Sequence, residues 1–394
     1  MQCVPCSGLE IGKVFGNHVS EAPWIHARQP PGLTCIRMFL RRSIYPCIAV
    51  FFYVCCLIPA VCPFGGNAHA SVIQADTTSG DSAQAHVATD FPSGPIAYKT
   101  TEDVVTTQVY AGFSLRKAKL DWNIAGQTDG TNPNILSELT WDKLDIVELN
   151  LGFRSYMEHG IYLGGYLNYG RIVSGENQDS DYYLDDRQGE FSRSNNRCDD
   201  GSTIDISLGT GYALPMPTDI ITLIPLVGFS FHQQNLTVTD GFQTVTWAQG
   251  PPLGPFPGLD SSYSAQWWGP WVGMELQLDI DTGWKFLQRI YPFAGLEYHW
   301  AKYYAQADWN LRTDFEHPKS FEHEASGSGL RVQAGFGTRF SGKWSLEFRY
   351  TQERWSAENG IDRIFLNDGT RLETSFNAVN WESSSAGLFV RYQF

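Results

Sequence analysis

Apolar and polar residues alternate with a period of two over most of the chain from about residue 107 to its end. The last segment is the clearest case. Ala386, Leu388, Val390, Tyr392 and Phe394 fall on one face, with Ser385, Gly387, Arg391 and Gln393 on the other. Successive side chains of a strand point to opposite faces, so one apolar face at this period predicts a β-strand. The same pattern sets Val147, Leu149, Leu151 and Phe153 against Glu148, Asn150 and Arg154. It also sets Trp344, Leu346, Phe348 and Tyr350 against Ser345, Glu347 and Arg349. Ten strands are predicted in this way, over 107–125, 136–154, 160–174, 202–214, 219–236, 263–280, 290–310, 326–340, 343–357 and 380–394. Their connections alternate between short and long, as in barrels with short periplasmic turns and long outer loops.

A soluble sandwich shows the same alternation locally. Three features favour a membrane barrel. The polar faces carry charge and glycine together, as a packed polar lumen would. Tyr169, Trp268, Trp300, Trp344 and Trp381 stand at strand ends, where interfacial girdles lie. Phe394, the last residue, sits on an apolar face and resembles the terminal aromatic of an outer-membrane assembly signal. The predicted fold class is therefore all-β: a ten-stranded antiparallel transmembrane β-barrel with long extracellular loops, in the outer membrane of a Gram-negative bacterium. Side chains already fill a lumen at about eight strands, and open channels come with about 16 to 18. Function then falls to the loops, which a rigid scaffold presents.

Composition narrows the choice. Aromatics make up 14 % and charged residues 18 % of 394 residues, without the helical apolar runs of about 20 residues that a helical membrane protein needs. Net charge is −14, and residues 1–70 are net basic, so the remainder is more acidic still. Such a chain lacks the basic face that nucleic acid wants, and no nucleic-acid partner is expected. Seven of the eight cysteines precede residue 63, leaving Cys198 alone and no disulfide framework. Met38-Phe-Leu-Arg41-Arg42, an apolar stretch to Cys62, and Ala68-His69-Ala70 follow the order of a secretory signal peptide over 38–70. Residues 1–37 read as a mis-called start, 71–106 as a periplasmic lead-in and 107–394 as the barrel.

Candidate chemistry lies in two loops. After the third strand, Asp179 and Asp181 are two apart, so a strand continuing beyond the membrane would face both carboxylates the same way. Held close, they would push one pKa up and could hold and activate a water. A solvated acidic loop and a Ca²⁺ site are the other readings. After the seventh strand, Asp314, Glu316 and His317, then Glu322, His323 and Glu324, offer two histidines beside acids. A carboxylate-oriented histidine is a general base, though loop histidines are often only solvated. No G-x-S-x-G, H-E-x-x-H or phosphate-loop motif is present in the sequence.

The strand count, the loop order, Leu139-Thr-Trp141 and Asn177-Gln-Asp179-Ser-Asp181-Tyr182 together resemble the omptin family, ten-stranded outer-membrane proteases. The resemblance covers about 290 residues of the chain. It implies an aspartate/histidine endopeptidase cleaving near basic residues, with catalytic Asp179 and Asp181 facing Asp314 and His317 across a cleft. The family spaces aspartate two before histidine, whereas here Asp314 is three before His317. It also implies contact with outer-membrane lipid and a requirement for lipopolysaccharide, with no other cofactor and no metal. The alternatives are a non-catalytic surface barrel (an adhesin binding a host surface ligand, or a structural protein) and a small-solute channel or lipid-modifying barrel.

Overall fold

The computed structural model describes residues 105–394, apart from 249, 285 and 286. The expected signal peptide, the segment before it and nearly all of the lead-in lie outside these residues. Thirteen strands run in chain order: β1 (Thr106–Ile124), β2 (Ser137–Tyr156), β3 (Ile161–Leu184), β4 (Gln188–Arg197), β5 (Gly201–Tyr212), β6 (Ile221–Val245), β7 (Gly254–Pro255), β8 (Asp260–Leu278), β9 (Ile280–Trp284), β10 (Leu287–Asp308), β11 (Phe321–Ser341), β12 (Trp344–Phe365) and β13 (Arg371–Gln393). Ten of them form a ring of antiparallel neighbours, β1-β2-β3-β5-β6-β8-β10-β11-β12-β13, closed where Phe113 of β1 meets Leu388 of β13. Closure leaves no unpaired edge, which a strand in lipid could not tolerate. β4 continues the line of β5 above a break at 198–200 and bridges β3 and β6.

The faces are inverted relative to a soluble protein. Phe113 is 68 % exposed on the outside, while Arg116, three residues on, is 3 % exposed inside. Val147, Leu149, Phe229, Met274, Leu296, Phe348 and Leu388 likewise face outward. Glu148, Asp205, Glu275, Glu297, Arg331, Glu347, Arg349 and Glu353 are buried. Exposing this much apolar surface to water while desolvating charges would cost on both counts, and a lipid exterior removes the first cost. The buried charges are paired: Arg116 bridges Glu148 at 2.9 Å and Asp205 at 2.7 Å, and Arg331 bridges Glu297 at 2.8 Å and Glu353 at 3.1 Å. These networks pack the lower lumen. Tyr169, Trp300 and Trp344 stand exposed at the belt edges, as the sequence suggested, whereas Trp381 is 1 % exposed and points into the barrel.

Several strands are longer than the alternation indicated. β3 runs to Leu184, β6 to Val245, β12 to Phe365, and β13 begins at Arg371. Their upper halves rise above the belt, at the end of the long loops. There the inward face becomes apolar, with Leu120, Trp122, Trp141, Tyr263, Trp267, Tyr303, Trp355 and Phe376 in one buried cluster. The opposite end closes with short turns. The tightest joins Ser341 to Trp344, and Gly342 at φ 47° supplies the positive φ that a two-residue hairpin requires at its first central position.

Candidate functional site

Because β3 continues past the membrane, Asp179 and Asp181 share one face of an ordered strand. Asp179 pairs in register with Leu139 of β2 and Ser194 of β4, and Asp181 with Ser137 and Ser192. Both carboxylates line a pocket among the upper strand ends, together with Ser137, Trp122, Trp309, Arg312, Phe321, His323 and Asp362. About 60 Å³ is open to the centre of a water, room for about four waters.

Desolvation first, and then the charge of Asp181, lift the Asp179 carboxyl well above the usual carboxylate range, against the pull of Arg312. Desolvation also pushes Asp181 up to about 6, although hydroxyl donors on Ser137 and Ser192 and the charge of Arg312 oppose it. Two such groups titrate as a pair, and the pair retains a proton near neutral pH.

The opposite wall carries a histidine and an aspartate from adjacent strands. His323 on β11 is in register with Asp362 on β12. Nε2 lies 3.1 Å from Asp362 Oδ1. Nε2 makes no aligned hydrogen bond there. Nδ1 is 2.9 Å from the Tyr263 hydroxyl, itself 2.6 Å from that of Tyr303. Phe376 stacks on the imidazole at 4.2 Å between ring centroids, and Trp122 packs edge-on at 4.7 Å. Thr374 donates to Asp362 Oδ2 at 3.0 Å. The ring is thus fixed in plane and direction, with a carboxylate beside one nitrogen.

Asp314 and His317 are placed differently. Both Asp314 oxygens accept from Arg312, at 2.9 and 2.6 Å. His317 Nδ1 contacts Asp308 at 2.6 Å and Nε2 the Arg312 carbonyl at 3.1 Å, so both ring nitrogens are engaged in the β10–β11 loop. The Asp314–His317 pairing drawn from sequence is not formed, and neither residue lines the pocket. The loop folds back because Trp309 N–H bonds to Ser320 Oγ and Glu316 N–H to the Phe365 carbonyl. This leaves His317 outside and brings Arg312 over the pocket. Asp362, Tyr263 and Arg312 escaped the sequence reading of the site, which offered His323 as a second loop histidine but gave the catalytic role to His317. The usable signal was the alternation Phe321, His323, Ala325, which continues β11 upward. Among the described residues, no group of three or more His, Cys, Asp or Glu side chains is placed to hold a metal ion.

A closed ring with an apolar exterior and a packed polar lumen defines an outer-membrane β-barrel protein. Residues 109–394 match the sequence profile of Pom, the Protochlamydia outer membrane protein family, and the chain belongs to that family. No curated protein matches it. Among solved structures, the outer membrane protease OmpT from Escherichia coli superposes with a TM-score of 0.58 at 14 % identity, covering 75 % of this chain and 98 % of that one. The translocator domain of the autotransporter NalP from Neisseria meningitidis reaches 0.31 at 12 % identity, covering 75 % and 91 %. At 14 % identity the likeness to OmpT is one of fold.

Proposed function

We propose that the protein is a surface endopeptidase whose water is held between the Asp179/Asp181 pair and the His323–Asp362 pair. The observation that carries this reading is the convergence of the four side chains, from β3, β11 and β12, on one pocket outside the membrane. His323 accepts the water proton and Asp362 stabilises the resulting charge. The water oxygen attacks the peptide carbonyl, and the proton retained by the aspartate pair passes to the leaving amine. Arg312 offsets negative charge on the pair and on the tetrahedral oxygen.

A second reading, the non-catalytic surface barrel, is favoured by one feature: His323 is fully buried, and a buried imidazole beside a carboxylate can be a structural contact alone. Peptide-library cleavage by outer membranes bearing the full chain separates the two. Cleavage lost in Asp179→Asn and in His323→Ala, but kept in His317→Ala, supports the endopeptidase. No cleavage by a barrel whose electrophoretic mobility still shifts on heating leaves the surface-contact role.

A further inference from the structure

The omptin resemblance implies a basic side chain beside the scissile bond. The lining of this pocket points elsewhere. Its walls are Trp122, Ile124, Trp309, Phe315, Phe321 and Ile364, and its carboxylates are the groups assigned to the water. The cation on the lining, Arg312, lies 4.1 Å above the Phe315 ring and is clamped on Asp314. We infer that the pocket selects an aromatic or large aliphatic residue next to the cleaved bond, and that Arg312 excludes lysine and arginine; this rests on the endopeptidase reading.

Three physical terms act in the same direction. An apolar side chain laid on the apolar wall of the pocket, with the water between the carboxylates and His323 left in place, covers indole and phenyl surface that otherwise faces solvent. An aromatic one gains in addition from edge or face packing and from the nearby guanidinium. A lysine or arginine would be desolvated against those apolar walls and would stand beside a like charge. The carboxylates do not reverse this. Arg312 already opposes both Asp179 and Asp181, and Asp362 is faced by His323.

The test is a peptide library varied at one residue, incubated with outer membranes carrying the full chain, with heat-modified mobility as the check on folding. Cleavage beside Phe, Trp or Leu is expected, with kcat/KM for Phe over Arg peptides of about 10-fold or more. Arg312→Glu should shrink that ratio by about 10-fold. Cleavage beside Lys or Arg that Asp179→Asn abolishes would overturn the specificity and leave the endopeptidase standing. Should no peptide be cleaved, the endopeptidase falls, and binding decides the specificity separately. The readout is displacement of dansyl-phenylalanine amide from the purified protein by Phe or Arg peptides. Displacement by Phe peptides that weakens in Arg312→Glu supports the apolar pocket; equal or better displacement by Arg peptides sinks it.

Discussion

Tyr263 shows what individual residues contribute at the site. Its hydroxyl holds His323 Nδ1 and meets the Tyr303 hydroxyl, all in a buried cluster. Tyr263→Phe leaves a buried ring nitrogen unpaired, a cost of about 1–3 kcal/mol. It should lower cleavage further than folding, since the imidazole loses the bond that fixes its tautomer; peptide kinetics beside urea unfolding would separate the effects. Asp181 makes a pH prediction. Its carboxyl titrates near 4 in an unfolded chain, about its ordinary value, and is pushed up to about 6 in the fold. A raised carboxyl pKa contributes stability that is complete below the unfolded value and is lost as pH rises through the folded one. The melting temperature should therefore fall as pH climbs from about 4 to above 6, and Asp181→Asn should flatten that fall. An unchanged slope in the variant would remove Asp181 as the cause. The aspartates were legible because two carboxylates two residues apart on an extended strand must share a face. The pairing of His323 with Asp362 was not, because the two are 39 positions apart and only the β11–β12 register joins them.

β1 and β12 each reverse their hydrophobic phase once. On β1 the odd positions Phe113 and Leu115 are apolar and outward, then Lys117, Lys119 and Asp121 take that face. The even positions pass from Ser114 and Arg116 to Leu120 and Trp122 over the same stretch. β12 does likewise, from Phe348 and Tyr350 outside to Trp355 and Ala357 inside. The strand continues; only its surroundings change, from lipid outside and ions inside to water outside and an aromatic core. The reversal therefore marks the membrane surface. It also accounts for where sequence reading ended β12 near residue 357 and began β13 near 380. A change of phase imitates a strand end when one apolar face is assumed throughout. The two inner layers should fail differently. Arg116→Leu leaves Glu148 and Asp205 buried without their shared cation, a loss of about 3–5 kcal/mol in urea unfolding. Trp267→Ala opens a cavity in the aromatic layer at a cost of similar size, about 3–5 kcal/mol. The arginine variant should depend strongly on pH, because protonating the orphaned carboxylates relieves it, while the tryptophan variant should not.

At the scale of the whole molecule, the belt fixes how deep the barrel sits and hence how far the pocket stands from the lipid. Phe113, Leu149 and Leu388 form one outward row across three neighbouring strands. On β1 the outward apolar positions between Thr107 and Lys117 are Val109, Ala111, Phe113 and Leu115, which places the row among the inner positions of the apolar band. Asp179 belongs to the water-facing half, beyond Arg171 and Asp200, an exposed ion pair at 2.8 Å. The cost of a charge facing lipid depends on depth: about 2–4 kcal/mol for arginine at the midplane and about 0–1 near an interface. Leu149→Arg should therefore destabilise the barrel by about 2–4 kcal/mol in guanidinium unfolding from lipid vesicles, and Gln352→Arg, outward but above Tyr350, by about 0–1 kcal/mol. Equal penalties at the two positions would mean that the lipid reaches as high as Gln352. The aspartate pair would then lie closer to the headgroups, and peptides would reach the pocket only from the loop end of the barrel. Unequal penalties in the stated order keep the pocket in water, clear of the headgroups.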